Sequence, residues 1–466
     1  MSTISLVSIL IILLIYWTNA QVSIVGSKLT ASSGAIVQET GSITIEFNPS
    51  GITYATGDII SIVFATGTTI STSSPTWTEL IGSFTISSWS YQSSTLTLSI
   101  TISNPSSSIA LILMSVDNFV YPMTSLSSWP SSGGATFTVT SSGGTSKGIA
   151  TSVKLSGVGT GSITTVTIAY DTSKPNVGDS SATITITLVV PHLVPSGGSI
   201  TVYFPTQPVS GNAVVSSPTW ADAGGTLSSS LSWSYASSTQ LLTLSNILTS
   251  SKSGTFKFTV SGITNPISLQ PVTGMTIATI GTDSGQIDTG TGSWSVPNAA
   301  TVTGMTFSQT SSTVVSTISP MRIIFTLPFP IQASPIIEFT FPTEITIDSQ
   351  LASYVGFGLF TSGTSFLTKS SSVVKIQGAS SSTASSTSNI VIFSSIRNPN
   401  MIKTTGTLSM NLYTSSNYLI ATVTSGVTLS SSSLTAGTIT VSSITPDNYV
   451  VQTSGILYKF VFNPRK

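Results

Sequence analysis

Apolar and polar residues alternate with a period of two along most of the chain. Three examples are Thr95-Leu96-Thr97-Leu98-Ser99-Ile100-Thr101-Ile102, Thr183-Ile184-Thr185-Ile186-Thr187-Leu188 and Thr255-Phe256-Lys257-Phe258-Thr259-Val260. Successive side chains of a strand point to opposite faces, so each stretch predicts a half-buried β-strand with Ile, Val, Leu and Phe inward. Thr takes the outer face, where its β-branch suits the pleat and its hydroxyl stands in for charge. No capped stretch of helical period follows the first twenty residues, and the pattern predicts an all-β chain.

The pattern also repeats. Phe47-Asn48-Pro49, Val189-Val190-Pro191, Thr326-Leu327-Pro328 and Phe462-Asn463-Pro464 close similar strands, and their prolines lie 142, 137 and 136 residues apart. Ser73-Ser74-Pro75-Thr76-Trp77 returns as Ser216-Ser217-Pro218-Thr219-Trp220, and Ser88-Trp89-Ser90-Tyr91 returns as Ser232-Trp233-Ser234-Tyr235. Asn104-Pro105, Asn265-Pro266 and Asn398-Pro399 add a further punctuation. Self-similarity at a fixed period marks a tandem architecture. The expected organisation is three β-sandwich units at 21–160, 161–300 and 301–432, followed by a two-strand partial unit at 433–466.

That last segment is anomalous. Thr438 to Val441 and Gly455 to Phe462 repeat the two opening strands of a unit, and a lone hairpin is marginal in water. Three readings follow from the sequence: the strands finish the third unit, they add to a sheet edge of another molecule, or the gene model is truncated. In the second reading Leu457, Phe460 and Phe462 are the residues expected to fill a partner's groove.

Composition narrows the function. Lys plus Arg number 14, Asp plus Glu number 14, and charged residues make up 6% of the 466, against an ordinary share of ~25%. Basic residues nowhere cluster, so the footprint of a nucleic-acid binder or of an anionic-membrane binder is absent. A hydrophobic share of 39% is too high for a disordered Ser/Thr-rich stalk. Leu6 to Trp17 is an apolar run ending in Thr18-Asn19-Ala20, which reads as a signal peptide at 1–20 and predicts a secreted, extracellular or cell-surface chain without an integral membrane segment. There are no cysteines, so the units must stand on packing without disulfides. No Asn heads an unblocked Asn-x-Ser/Thr triplet.

Chemistry is thinly supplied. His192 is the single histidine and follows Pro191, where a turn residue is expected. Asp288-Thr289-Gly290 looks like an aspartic-protease loop, but its nearest partner, Asp283-Ser284-Gly285, is too close in sequence to form a two-loop dyad. Asp283 and Asp288 read either as a solvated loop or, with loop carbonyls, as part of a Ca²⁺ site. Neither a catalytic residue nor a cofactor is expected. Trp77 and Trp220, each after a Pro-Thr pair, are the candidates for stacking on a sugar, whereas Trp89 and Trp233 are expected to pack.

Tandem Cys-free Ser/Thr-rich β-units, with motifs such as Gly437-Thr438-Ile439-Thr440-Val441-Ser442-Ser443-Ile444-Thr445-Pro446, resemble the repetitive extracellular proteins of protists and the Ig-like repeat arrays of microbial adhesins. The resemblance implies a surface or matrix repeat protein and transfers no functional residue. Scarce charge leaves sheet edges unprotected and the chain without self-repulsion. The expectation is a non-enzymatic structural or adhesive protein that self-associates through sheet edges, into filaments or a coat, or engages other surface proteins. A carbohydrate-binding array is the alternative.

Overall fold

The computed structural model describes residues 22–48, 51–71, 77–81, 84–105, 111–126, 128–130, 132–205, 209–220, 227–331, 333–358, 362–364, 366–377, 388–423, 425–446 and 457–464. Among them the regular elements are β-strands, apart from one 3-10 turn at Ser431–Ser433. None contains a helix long and apolar enough to cross a membrane.

The strands form paired sheets in three successive β-sandwich units, and the middle one shows the plan. One six-stranded sheet has the order Gly161–Ser162, Gln286–Trp294, Val272–Ile280, Ser199–Tyr203, Leu241–Ser245, Ser232–Ala236. Its companion has the order Thr165–Tyr170, Ala182–Val194, Lys252–Ile263, Val209–Trp220. The first unit repeats this order with strands between Val22 and Ser156, and the third with strands between Ala300 and Thr428.

Alternation becomes burial strand by strand. In Ala182–Val194, Ala182, Ile184, Ile186 and Leu188 have no exposed surface, while Thr183, Thr185 and Thr187 are half-buried. Each buried Ile or Leu contributes about 1.5–3 kcal/mol, enough to set the register, because a one-residue slip would turn the whole set outward. The same strand corrects the expectation that Pro191 closes it. It resumes to Val194, and Pro191, His192 and Leu193 leave the ladder as the register jumps from Val190 opposite Gly254 to Val194 opposite Lys252. Proline has no N–H for the ladder, so the chain bulges there.

Each unit hands the chain on in one way. The amide of Val37 donates to the Gly159 carbonyl at 3.2 Å, Val177 to Asn298 at 2.9 Å and Val315 to Thr435 at 3.0 Å. After the first two hand-overs an opening hairpin follows and a full sandwich is built on it. After the third, Ile439–Pro446 and Tyr458–Pro464 pair with each other as a two-stranded sheet and, among the described residues, with no strand of the third unit or of any other.

Candidate functional site

The C-terminal hairpin is built to the pattern of the opening hairpins. In the first unit Lys28 pairs with Glu46, Leu29 with Ile45 and Ala31 with Ile43, after a register shift beyond Val25. In the C-terminal pair Ser443 opposes Val461, Ile444 opposes Phe460 and Pro446 opposes Tyr458, after a shift beyond Val441. The third unit matches as well, with Thr306 on Ile324, Phe307 on Ile323 and Gln309 on Met321. The bulge has a definite effect. Val441 and Ile444 stand three residues apart and would otherwise face opposite ways, but one extra residue puts both on the face of Phe460.

What differs is cover. Leu29 is 3% exposed, Ile43 and Ile45 are fully buried, and so is Ile323, whereas Ile444 is 54%, Tyr458 57% and Phe460 51% exposed. Ile439 and Val441 are also exposed, so one face of the hairpin carries five half-open apolar side chains. Its other face carries Thr440, Ser443, Thr445, Lys459 and the partly exposed Val461. Of the residues picked from sequence, Phe460 lies on this apolar face. Leu457 precedes the strand and is exposed. Phe462 pairs with Val441 in the backbone ladder, and its side chain lies outside the described residues. Ile439, Val441, Ile444 and Tyr458 were missed, because the Ser442-Ser443 interruption hides the alternation unless a bulge is allowed for.

Trp220 and Trp233 differ from their expected roles. Trp220 is 8% exposed, its indole N–H donates to the Ser253 carbonyl at 2.9 Å, and its ring lies 5.3 Å from that of Phe256. Trp220 is therefore a core residue with no free ring face for a sugar, and that assignment is corrected. It ends a strand beside the long central Lys252–Ile263, which explains its cover. Trp233, on the outermost strand Ser232–Ala236, is 42% exposed, while the equivalent Trp89, also on an outermost strand, packs half-buried on the first core. Trp77 lies on Trp77–Ile81, paired with Val116, and its side chain is outside the described residues. Trp220→Phe should lower stability by about 1 kcal/mol, the worth of the indole hydrogen bond, read from urea unfolding; an unchanged midpoint would contradict this placement.

His192 is not a simple turn residue. Its Nδ1 lies 2.6 Å from Oδ1 of Asp288, a carboxylate with no exposed surface, and its own amide reaches Oδ2 at 3.4 Å. Gly161 pairs with Asp288 in the ladder, and a Cβ there would overlap both the carboxylate and the ring. Asp283 is committed elsewhere: it accepts from the Thr124 hydroxyl of the first unit at 2.6 Å and from the Gly285 amide at 3.0 Å. The two aspartates therefore do not converge on a cation, and neither faces a second carboxylate as protease chemistry would require. Among the described residues no group of three or more His, Asp or Glu could hold a metal ion.

These contacts fix the first unit on the second. The Gln38 side chain donates to the Leu193 carbonyl and accepts from the Leu193 amide, both at 2.8 Å. Ser125 donates its amide to the Gln286 carbonyl at 2.7 Å, and Ile287 enters the core of the first unit. Between the second and third units the Leu269 amide donates to the Leu419 carbonyl at 2.8 Å, and one continuous core runs through both.

Groups displaced from their ordinary ionisation are scattered supports. Burial, and after it the Asp58 carboxylate, pushes the Tyr54 phenol well up, and Asp58 itself holds Lys147 at 2.5 Å. Burial raises Tyr235. The Gln350 amide, helped by Arg397, holds Asp348 below the usual carboxylate range. None of these sits with another in a cleft.

No family model matches the chain, and no curated protein matches it. Among solved structures the chain is similar to the collagen adhesin (CNA) of S. aureus, at 12% identity and a TM-score of 0.18, covering 66% of this chain and 97% of that one. It is similar to a 1.5-MDa bacterial ice-binding adhesin, at 11% identity and a TM-score of 0.17, covering 86% of this chain and 97% of that one. It is also similar to a 35 kDa C-terminal fragment of the major pilin of Streptococcus agalactiae, at 10% identity and a TM-score of 0.18, covering 58% and 90%. Likeness at these TM-scores carries no weight for function, which rests on the chain's own surfaces.

Proposed function

We propose that this chain is an exported structural or adhesive protein of a surface or matrix, a short row of β-sandwiches that associates with further copies through its C-terminal hairpin. The observation that carries the reading is the exposure of Ile444, Tyr458 and Phe460, at register positions where the first and third units bury their counterparts. A two-stranded sheet cannot hold such a face in water by itself. The hairpin also has an open edge. Strands Thr40–Asn48, Ala182–Val194 and Ile318–Thr326 each pair on their outer side with a long strand, whereas Tyr458–Pro464 has none beside it among the described residues. Balanced charge, 14 against 14, removes the repulsion that would keep copies apart. The firmly bonded junctions suit a part that carries load between its ends.

Removal of residues 439–466, which leaves the Thr435 contacts of the third unit in place, tests this. The full chain should show concentration-dependent mass in sedimentation, and the shortened chain should be monomeric with the same unfolding midpoint. A full chain that stays monomeric at high concentration, or a shortened chain that assembles as before, would refute the reading.

A further inference from the structure

We infer that the junction of the second and third units holds a binding site for a short neutral carbohydrate. A cleft of about 460 Å³ opens there, within the ordinary range for ligand sites of roughly 300–1,000 Å³. The second unit lines it with the loop 264–273, Pro205 and Trp294, and the third unit with the turn residues Thr414, Ser415 and Ser416.

The first junction shows what the second leaves open. There the loop after Pro122 meets the turn 281–285, and the Thr124 hydroxyl donates to the Asp283 carboxylate at 2.6 Å. Gly281 and Gly285 lie so close to Thr124 that a Cβ on either would overlap it. The second junction joins the same two elements. The Gly178 amide bonds the Pro266 carbonyl as that of Gln38 bonds Pro122, and the Thr414 amide closes its turn on Tyr418 as Gly281 closes on Gly285. Counted from these bonds, Ser268 stands in the place of Thr124 and Ser416 in that of Asp283. The Ser268 hydroxyl accepts from the Gln270 amide at 3.3 Å, and among the described residues no bond joins it to Ser416. Both border the cleft. Smaller side chains, without the carboxylate, leave open the space that the first junction fills.

The wall of the cleft also holds unsatisfied polar groups. The Asn265 side chain donates to the Lys174 and Asn176 carbonyls at 2.7 and 2.8 Å, which orients the amide and leaves its Oδ1 without a partner. Asn398 takes the same pose in the third unit, so that oxygen alone does not mark a site. Trp294 is particular to this one. It pairs with Val272 where the first unit sets Val153 opposite Ala135. It is 3% exposed, and its indole N–H has no acceptor in the protein. A buried donor without an acceptor is costly, and a ligand oxygen at the cleft wall would supply one.

The lining selects the ligand. Among the described residues no charged side chain borders the cleft, so an ionised ligand would lose its hydration without a counter-charge. The hydroxyls of Thr264, Thr273 and Ser415 and the amide of Gln270 both donate and accept, and Pro266 and Ile267 lie among them. A sugar offers the same mixture, hydroxyls around apolar ring faces. A peptide strand fits less well, because it needs an open backbone edge. The amides of Asn265, Leu269 and Gln270 are already bonded, and Pro266 and Pro271 have none. Trp294 is too covered to offer a stacking face, so affinity rests on hydrogen bonds and should be about millimolar.

Proton–nitrogen correlation spectra of the full chain test this through the indole signal of Trp294, assigned by its loss in Trp294→Phe. Titration with maltose, cellobiose, lactose and diacetylchitobiose should move that signal saturably with at least one of them, as the N–H gains an acceptor. Gln270→Ala, at an exposed position, should weaken the binding ~5-fold. Ser416→Asp, which restores the carboxylate of the first junction, should abolish it while the rest of the spectrum stays folded. The inference is overturned if none of the four sugars moves the signal, if a neutral Ser/Pro peptide moves it and the sugars do not, or if the two variants bind as the parent does. None of these results bears on association through the C-terminal hairpin, which sedimentation reads separately.

Discussion

Asp288→Ala is expected to destabilise the second unit by about 3 kcal/mol, the upper end of the range for leaving a buried hydrogen-bonding group without its partner. The carboxylate has no exposed surface, and two of its contacts come from one residue, the ring nitrogen and the amide of His192. Removing it leaves the imidazole, itself mostly covered, without its acceptor, and unties the bulge that Pro191 begins. The neighbouring Leu193 is the residue clamped by Gln38, so the loss should also loosen the first junction. Gly161→Ala strikes the same pair from the other side, since its methyl would occupy the space of Oδ1 and Nδ1. Alone it should cost a comparable amount. In the Asp288→Ala background it should cost less, because one of the two groups in the way of the methyl is gone and the untied imidazole can swing aside from the other; coupled neighbours show interaction energies of about 0.5–3 kcal/mol. Hydrogen exchange resolved over residues 161–294 measures each variant. Strict additivity, or a loss below ~1 kcal/mol for Asp288→Ala, would show that the pair is not a structural unit.

The pair also shows where sequence reasoning stops. His192 and Asp288 lie 96 residues apart, and nothing local to either predicts the other; the first unit has Ser50 at the equivalent of His192 and the third has Phe329. The strands were legible because Thr-Ile alternation is a local signal with a strong energetic consequence, and the three-unit plan was legible because the motifs return at nearly constant spacing. The tryptophans were not, since Trp220 and Trp233 have equally Ser-rich surroundings and both lie on outermost strands, and only tertiary packing, Trp220 against Phe256 and the Ser253 carbonyl, decides which is covered. The hairpin fell between these cases. Its kinship with an opening hairpin could be read from Phe462-Asn463-Pro464, but the apolar face could not, because one bulge residue decides which side chains share it.

The second large effect should come from Gly178→Ala, at about 3 kcal/mol shared by the second and third units. Gly178 has φ of +73°, where an L side chain costs about 1 kcal/mol or more, and its amide donates to the Pro266 carbonyl at 2.9 Å, so the backbone cannot relax without losing that bond. A Cβ there would enter the ring of Phe329, adding an overpacking cost of about 1–3 kcal/mol. Phe329 belongs to the third unit and packs on the core that runs through both, so the strain falls on the junction. Calorimetry of the full chain should therefore show the second and third units melting together, and Gly178→Ala should split them into separate transitions. Phe329→Ala should restore much of the loss in the double variant by removing the ring, leaving only the backbone term. The first junction meets the same demand differently: the turn that holds Gly178 in the second unit holds Gln38 in the first, whose amide bonds the Leu193 backbone where Phe329 would otherwise press. One junction is thus fastened by a polar clamp and the other by a ring seated on bare backbone. If Gly178→Ala left the two units melting as one, the ring contact would not be what joins them, and the shared core alone would have to carry the coupling.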